Sequence, residues 1–579
     1  MTMGYFSKYS VLTFGLTLGI FIVDPTFSQR TTTGSQGLAF ASYYGDHMVL
    51  QQAPKRANVW GYADMADVGQ KILLELILVY KNLIIPFHTK VVRGPFSDRA
   101  VWSVTLDPIS PQGPFNIAVT LGQQRIKISD ILFGDVWVCS GQSNMEFTVN
   151  LMLNATQELE HVTDYPDVRV FTVAKKGSTE PLYDLEEVAE PWSLPTNDSI
   201  GMHSWTYFSA VCWLFGRHLN QKLGYPIGLV DSNVGGTPVE AWSSPDSLKS
   251  CGIKRQLRGI ARGIEIANSV LYNAMIHPLL NMTIRGAIWY QGEANHKAPN
   301  TYNCTFPAMI TDWRSKFHAG SNGQTDTMFP FGFVQLAAYR KPDPTHPVTT
   351  GFPDIRWHQT ADVGVVPNDK MQRVFMAVAM DLPDYDSPYG SIHPRDKSTV
   401  AERLVQSGLA VAYNWKIKFQ SPQISAYYID IGFFTLGLEF DNKSTPLDLR
   451  DKTGFEVCCS HDNQTYCSTP GTHWVSVPIS KVAEGIVTLD YKACANMYIV
   501  GVRYAWRESP CDYQKCAIYT KEEGIPLAPF SSIGLIGLES EDESVHTYKY
   551  GHEYKTRTSH HHTGRHNDKL LWKPNGSPR

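Results

Sequence analysis

Four short polar clusters carry the residue types that acyl transfer requires. Ser140-Gly141-Gln142-Ser143-Asn144-Met145 sets a hydroxyl on a glycine-containing turn, from which it can project outward. Such a turn also aims neighbouring backbone N–H groups at a developing oxyanion. Asn233-Val234-Gly235-Gly236-Thr237-Pro238 offers two glycines, which let backbone approach a ligand closely. Gln291-Gly292-Glu293-Ala294-Asn295 adds amide donors, and Ser391-Ile392-His393-Pro394 adds an imidazole. A hydroxyl nucleophile needs a base to take its proton and donors for the charge it creates on a carbonyl. Singly, each cluster reads as an ordinary turn or a structural histidine. Jointly they read as an acyl ester hydrolase with Ser143 as nucleophile and His393 as base.

The elements around the clusters explain why they belong together. The apolar runs 136–139, 227–230, 287–290, 331–336 and 374–380 are short enough for buried strands, and each cluster follows one of them. Helical spacing fills the intervals: 208–223 places Val211, Leu214, Phe215 and Leu219 on one face, and 301–317 and 400–413 behave similarly. Strand–helix alternation predicts a parallel sheet covered by helices on both faces, with its site at the carboxyl ends of the strands. Outside this region the pattern is β. Runs at 59–60, 71–80, 101–106 and 115–121 are separated by Gly and Pro turns, and strand-like runs return after 415. The expected organisation is a signal peptide at 1–28, a β-domain at 29–130, an α/β core at 131–414, a cysteine-rich β-domain at 415–538 and a polar, His-rich, unstructured tail at 539–579.

Composition narrows the class. The chain has 579 residues, 43% hydrophobic and 18% charged, with a formal net charge of -4. These are globular values without the basic footprint of a nucleic-acid binder. Lys8, the apolar run 11–23 and small residues at Thr26 and Ser28 form a secretory signal, too short for a membrane span. No later stretch reads as a bilayer span, so no stable membrane insertion is expected. Glycosylation sequons at Asn154, Asn197, Asn281, Asn303, Asn442 and Asn463 fit the secretory pathway, with a lysosomal or extracellular destination. Ten cysteines fit it too. Six of them, Cys458, Cys459, Cys467, Cys494, Cys511 and Cys516, predict two or three disulfides, against a zinc site for which the paired spacing is missing.

The blocks Asp46-His47-Met48-Val49-Leu50-Gln51, Gly134-Asp135-Val136-Trp137, Gly141 to Glu146, Gly235 to Trp242, Trp289 to Asn295 and Ile392 to Lys397 resemble, in order, those of the sialate O-acetylesterases. That family lies within the SGNH hydrolase superfamily. The resemblance implies a flavodoxin-like, three-layer SGNH core of parallel sheet with flanking all-β domains. It implies hydrolysis of acetyl esters, mainly 9-O-acetyl, on sialic acids, free or on glycoconjugates, through a Ser143 acetyl-enzyme with no metal or organic cofactor. Ser143 and Gly235 would give backbone N–H groups to the oxyanion, with an amide from Gln291, or alternatively Asn295. Arg395 would meet a sialic acid carboxylate, and Glu146 sugar hydroxyls, unless it fixes a loop as Glu240 and Glu293 would. Trp242 and Trp289 read as sugar platforms or core. One departure stands out: the superfamily carries Asp three residues before the catalytic His, and here that position is Gly390. Asp384 or Asp386 would orient the imidazole instead, or a backbone carbonyl would. The alternatives are an acetyl esterase for another polysaccharide and a non-catalytic glycan-binding protein on an esterase scaffold.

Overall fold

The computed structural model describes residues 37–533, apart from 202–203, 207, 255, 462–466 and 468–471, together with 546–549. The expected signal peptide and Asn463 lie outside the described residues. So does the expected tail, except for a strand at His546–Lys549 that pairs antiparallel with Ile424–Asp430.

One strand organises the molecule. β1 (Gln124–Gly141) pairs antiparallel with Phe115–Leu121 near its start and is buried from Ile131 to its end. It crosses the expected boundary at 130/131 without a break, so the N-terminal β region and the core share a continuous sheet. The change of character within β1 is physical. Its first part has one solvated face and mixed polarity, whereas its second part is covered on both faces and reads as a continuous apolar run. Gln51 and Asp135 seal the junction: Gln51 Nε2 donates to Asp135 Oδ1 at 2.8 Å, and Val136 N donates to Gln51 Oε1 at 3.0 Å.

Beyond β1 come β2 (Val168–Val173), β3 (Val188–Ser193), β4 (Ile227–Asn233), β5 (Gly286–Tyr290), β6 (Phe331–Gln335) and β7 (Val374–Val378). They lie in the order β3-β2-β4-β1-β5-β6-β7. Neighbours are parallel except β3, which runs antiparallel to β2 at the edge. β2 and β3 were not among the expected strands: Arg169 interrupts the apolar run of β2, and Glu190 and Pro191 interrupt that of β3. Arg169 is buried nonetheless, with its guanidinium on Asp130 at 2.7 Å.

Helices cover both faces. Trp137 pairs in register with Gly286, so Trp289, three residues on, points to the opposite face. Trp137 meets Phe215 of α2 (Ala210–Leu223), which packs on α5 (Lys397–Tyr413). Trp289 meets Phe306 and Trp313 of α3 (Tyr302–Gly320). Two short helices follow strands of the sheet, α1 (Ser143–Glu146) after β1 and α4 (Phe352–His358) after β6. This is an α/β fold with additional all-β regions. Trp242 and Trp289 are fully buried, which makes both core residues and not sugar platforms.

The C-terminal region folds as antiparallel sheets, one containing Ile424–Asp430, Thr435–Phe440, Ile479–Ala483 and Ile486–Asp490, the other Phe455–Ser460, Thr472–Val477, Tyr498–Tyr504 and Phe530–Ile533. Arg356 of α4, 0% exposed, joins it to the core by donating to the carbonyls of Leu336, Ala337, Arg507 and Glu508. All ten cysteines are paired: Cys139–Cys212, Cys251–Cys304, Cys458–Cys467, Cys459–Cys494 and Cys511–Cys516. No thiolate remains for the zinc alternative. Among the described residues no helix is long and apolar enough to cross a membrane.

Candidate active site

The chain leaves β1 first to one side, towards β2 and β4, and then returns past it to β5. The crevice at the carboxyl end of β1 is therefore a topological switch point. Gly141 makes the turn there possible. Its φ is +146°, and a Cβ on it would lie 2.3 Å from the Tyr290 carbonyl oxygen. Gln142 N donates to that same carbonyl at 3.0 Å, which fixes the turn against β5. Ser143 then opens α1, half-buried, so its own N–H has no intrahelical acceptor.

His393 reaches Ser143 from a loop 250 residues away, with Nε2 2.9 Å from Ser143 Oγ. Its Nδ1 lies 2.7 Å from the Tyr389 carbonyl oxygen. A carbonyl only accepts, so Nδ1 carries the proton and Nε2 presents its lone pair to the serine hydroxyl. That is the tautomer a general base needs. The loop is wound to give it: Gly390 has φ +85°, His393 N donates to Gly390 O at 2.8 Å, and Ser387 Oγ donates to the His393 carbonyl at 2.8 Å. Glycine at 390 is thus a conformational requirement of the turn that aims the Tyr389 carbonyl at the imidazole.

Neither candidate acid reaches His393. Asp384 binds Arg395 in a bidentate pair, Nε to Oδ2 at 2.6 Å and Nη2 to Oδ1 at 3.0 Å, and also takes the Arg395 N–H. Asp386 is exposed. Asp384 thus occupies the Nε and Nη2 edge of the Arg395 guanidinium. The physical reason is proximity: Asp384 and Arg395 sit on the two arms of one loop and satisfy each other.

The oxyanion donors also differ from expectation. Gln291 is fully buried, with Nε2 on Thr237 O at 3.1 Å and on Asn295 Oδ1 at 2.7 Å, and Oε1 accepting from Tyr302 at 3.0 Å. Asn295 Nδ2 donates to Glu240 Oε2 at 2.9 Å, and its Oδ1 also accepts from Val239 N at 3.0 Å. The two amides brace the loops after β4 and β5 against each other and do not face the serine. Gly235 does: a Cβ there would come within 3.2 Å of Ser143 Cβ. Its N–H, however, donates to Glu146 Oε2 at 2.5 Å. Glu146, 2% exposed, is out of reach of a sugar. Its other oxygen is shared by Lys175 at 2.6 Å and Arg262 at 2.8 Å.

Several participants carried no local signal. Trp205 sets its ring across His393, T-shaped at 5.1 Å, and also against Phe147. Burial lowers the His393 pKa from that of an ordinary imidazole, with Lys397 and Arg262 acting in the same direction. The Tyr389 carbonyl and Glu146 oppose the shift. Beneath the loop, Asn144 Nδ2 donates to Glu293 Oε1 at 2.6 Å and to the Ile392 carbonyl at 2.9 Å, and its Oδ1 accepts from Lys397 Nζ at 2.6 Å. Burial pushes Lys397 down to about 7 and Glu293 up. This network pins the residue before His393 to the residue after Ser143. Asn144, Glu293 and Lys397 all stand inside the motif blocks, which was the available signal. Trp205, Lys175 and Arg262 come from intervening segments.

Residues 133–388 match the family model described as carbohydrate esterase, sialic acid-specific acetylesterase, and residues 425–534 match the sialate O-acetylesterase C-terminal domain. With the α/β fold and the Ser143–His393 contact, these matches place the chain among the carbohydrate esterases. Sialate O-acetylesterase from Mus musculus is 42% identical over 528 residues, covering 85% of this chain and 94% of its own. The Homo sapiens enzyme of the same name is 42% identical over 529 residues, covering 89% and 96%. A solved carbohydrate acetylesterase from Xanthomonas citri shares the fold, with a TM-score of 0.67 and 24% identity over 85% of this chain and 99% of that one. The chain belongs to the sialate O-acetylesterase family.

Proposed function

We propose that the protein hydrolyses acetyl esters of sialic acids, mainly at the 9-position, on an SGNH-type core through a Ser143 acetyl-enzyme. The observation that carries this reading is the Ser143 Oγ–His393 Nε2 contact at 2.9 Å, with Nδ1 held on a carbonyl. His393 takes the serine proton as Oγ attacks the acetyl carbon. The tetrahedral oxyanion is held by the Ser143 N–H, and by the Gly235 N–H once Glu146 yields it. His393 then gives the proton to the leaving sugar oxygen. A water, deprotonated by His393, attacks the acetyl carbon, and acetate leaves with Oγ re-protonated. The Tyr389 carbonyl does the orienting work of a triad acid without its charge. Family membership supports the sialic acid substrate, free or on glycoconjugates. Five disulfides support a life in the secretory pathway, with lysosome or cell exterior as destination. Exposed Asn154, Asn197 and Asn442 are the better glycosylation sites. Asn303 is half-buried, and its Nδ2, the atom a glycan would replace, bonds Asp362 at 2.7 Å.

The test is acetate release from 9-O-acetylated sialic acid, together with labelling by a serine-directed fluorophosphonate. Turnover with labelling at Ser143, both lost in Ser143→Ala and His393→Ala, is expected. A protein that binds the sugar, releases no acetate and takes no label is not an esterase.

A further inference from the structure

Lys175 and Arg262, which hold Glu146 behind the Gly235 N–H, also line a large cleft that the mechanism above does not use. It has a volume of about 1230 Å³, which exceeds the roughly 300–1,000 Å³ of ordinary small-molecule pockets. Lys175 and the following segment form one wall, and the hairpin of Leu257–Ala261 and Ile264–Ala267 forms another. Leu248 and Val270 add apolar surface. Arg262 stands at the turn of the hairpin, and its guanidinium lies 5.8 Å from the Trp205 ring that covers His393.

Three cations line the cleft, Lys175, Lys176 and Arg262. Lys175 and Arg262 share one carboxylate oxygen of Glu146, and buried Asp231 lies in the field of Lys175 and Glu146. Lys176, further along the same wall, is paired with Glu187 at 2.7 Å, and Glu265 is exposed on the hairpin strand opposite Ile260. Of the three cationic side chains that line the cleft, Arg262 is the most exposed, ahead of Lys176 and Lys175. The Arg262 side chain is 44% exposed and opens into the cleft. The link to the chemistry is short, because Glu146 also holds the Gly235 N–H against Ser143. A 9-O-acetylated sialic acid carries its ester and its carboxylate at opposite ends. With the ester at Ser143, the carboxylate must project away from the serine, and of the two arginines near His393 the side chain of Arg262 is the more exposed, Arg395 being 30% exposed and held on Asp384 through two nitrogens.

We infer that this cleft is the subsite for the carboxylate-bearing end of the sugar and for glycan units beyond it, with Arg262 as the anchoring side chain. The inference rests on the sialic acid reading above. Arg262 recognises the carboxylate by a charge-assisted contact, and the remaining volume accommodates the aglycone.

The test is calorimetric titration of the full chain with sialic acid and with its neutral methyl ester, in wild type, Arg262→Gln and Ala267→Trp, with acetate release measured beside it. Wild type is expected to bind the acid at least about tenfold more tightly than the ester, the scale of a charge-assisted hydrogen bond. Arg262→Gln brings that ratio close to one. Ala267→Trp, which fills the cleft, weakens both ligands. An acid-to-ester ratio in Arg262→Gln equal to that of wild type overturns the anchor, and undiminished binding by Ala267→Trp overturns the cleft. Turnover does not enter the titration, so the two readings fail separately. Arg262-dependent binding without acetate release removes the esterase and keeps the subsite, whereas acetate release with Arg262-independent binding does the reverse.

Discussion

Asp384→Asn separates two accounts of how His393 is oriented. In a Ser-His-Asp triad, losing the acid costs about 10⁴ in rate, or about 5.4 kcal/mol of barrier. Here Asp384 faces Arg395, with side chains 16% and 30% exposed, and Nδ1 of His393 faces the Tyr389 carbonyl. Replacing Asp384 leaves a partly solvated guanidinium, which costs the loop about 1–3 kcal/mol of local order. Any effect on rate then comes from displacement of His393, two residues before Arg395, and should stay within about 10²-fold. Initial rates on an aryl acetate across Asp384→Asn, Arg395→Gln and the double variant give the answer. If Asp384 works solely through Arg395, each single change costs about as much as both together, a strongly non-additive cycle. A fall of about 10⁴ in Asp384→Asn with a near-normal Arg395→Gln would refute the carbonyl account.

Other outcomes follow from the same geometry. The base must be unprotonated, and burial lowers the His393 pKa, so kcat/KM should rise to its plateau with a midpoint below the ordinary imidazole value of about 6.5. A midpoint above that value in the wild-type pH profile would contradict the assigned environment. The same shift makes stability fall as pH drops from the unfolded-state value towards the lower folded one, because the unfolded chain then binds the extra proton. Lys397→Met removes the donor to buried Asn144 Oδ1 and the cation nearest Glu293, and should cost about 1–3 kcal/mol in denaturant unfolding, with part recovered in Lys397→Met/Glu293→Gln. No recovery would mean that charge is not what the pair contributes. Gly235→Ala drives a Cβ into Glu146 and towards Ser143, and should lower kcat by about 10²-fold, the scale of a lost oxyanion donor. Replacing Cys139 and Cys212 by alanine reopens a separation of 73 residues, with a loop-closure contribution of about 4 kcal/mol to be read by calorimetry.

The sequence by itself determined what local chemistry encodes. Buried parallel strands must be continuous apolar runs, so five core strands were legible, and the turns after them had to be glycine-rich and polar. That is why Ser143, Gly235 and His393 stand out in the sequence alone. Hydrogen-bond partners are another matter, because they depend on which loops meet. Gln291 and Asn295 have the right chemistry for an oxyanion hole, yet Thr237, Glu240 and Tyr302 claim them. Asp384 has the right charge for a triad, yet Arg395 lies nearer. Arg169 hid a core strand because a buried arginine looks like a break until its Asp130 partner is found. Lys175, Trp205 and Arg262 enter the site from separate segments, and no spacing rule connects them to Ser143. Residue type sets what a side chain can do, while tertiary structure decides which of its possible partners comes within about 3 Å, the distance at which a hydrogen bond forms.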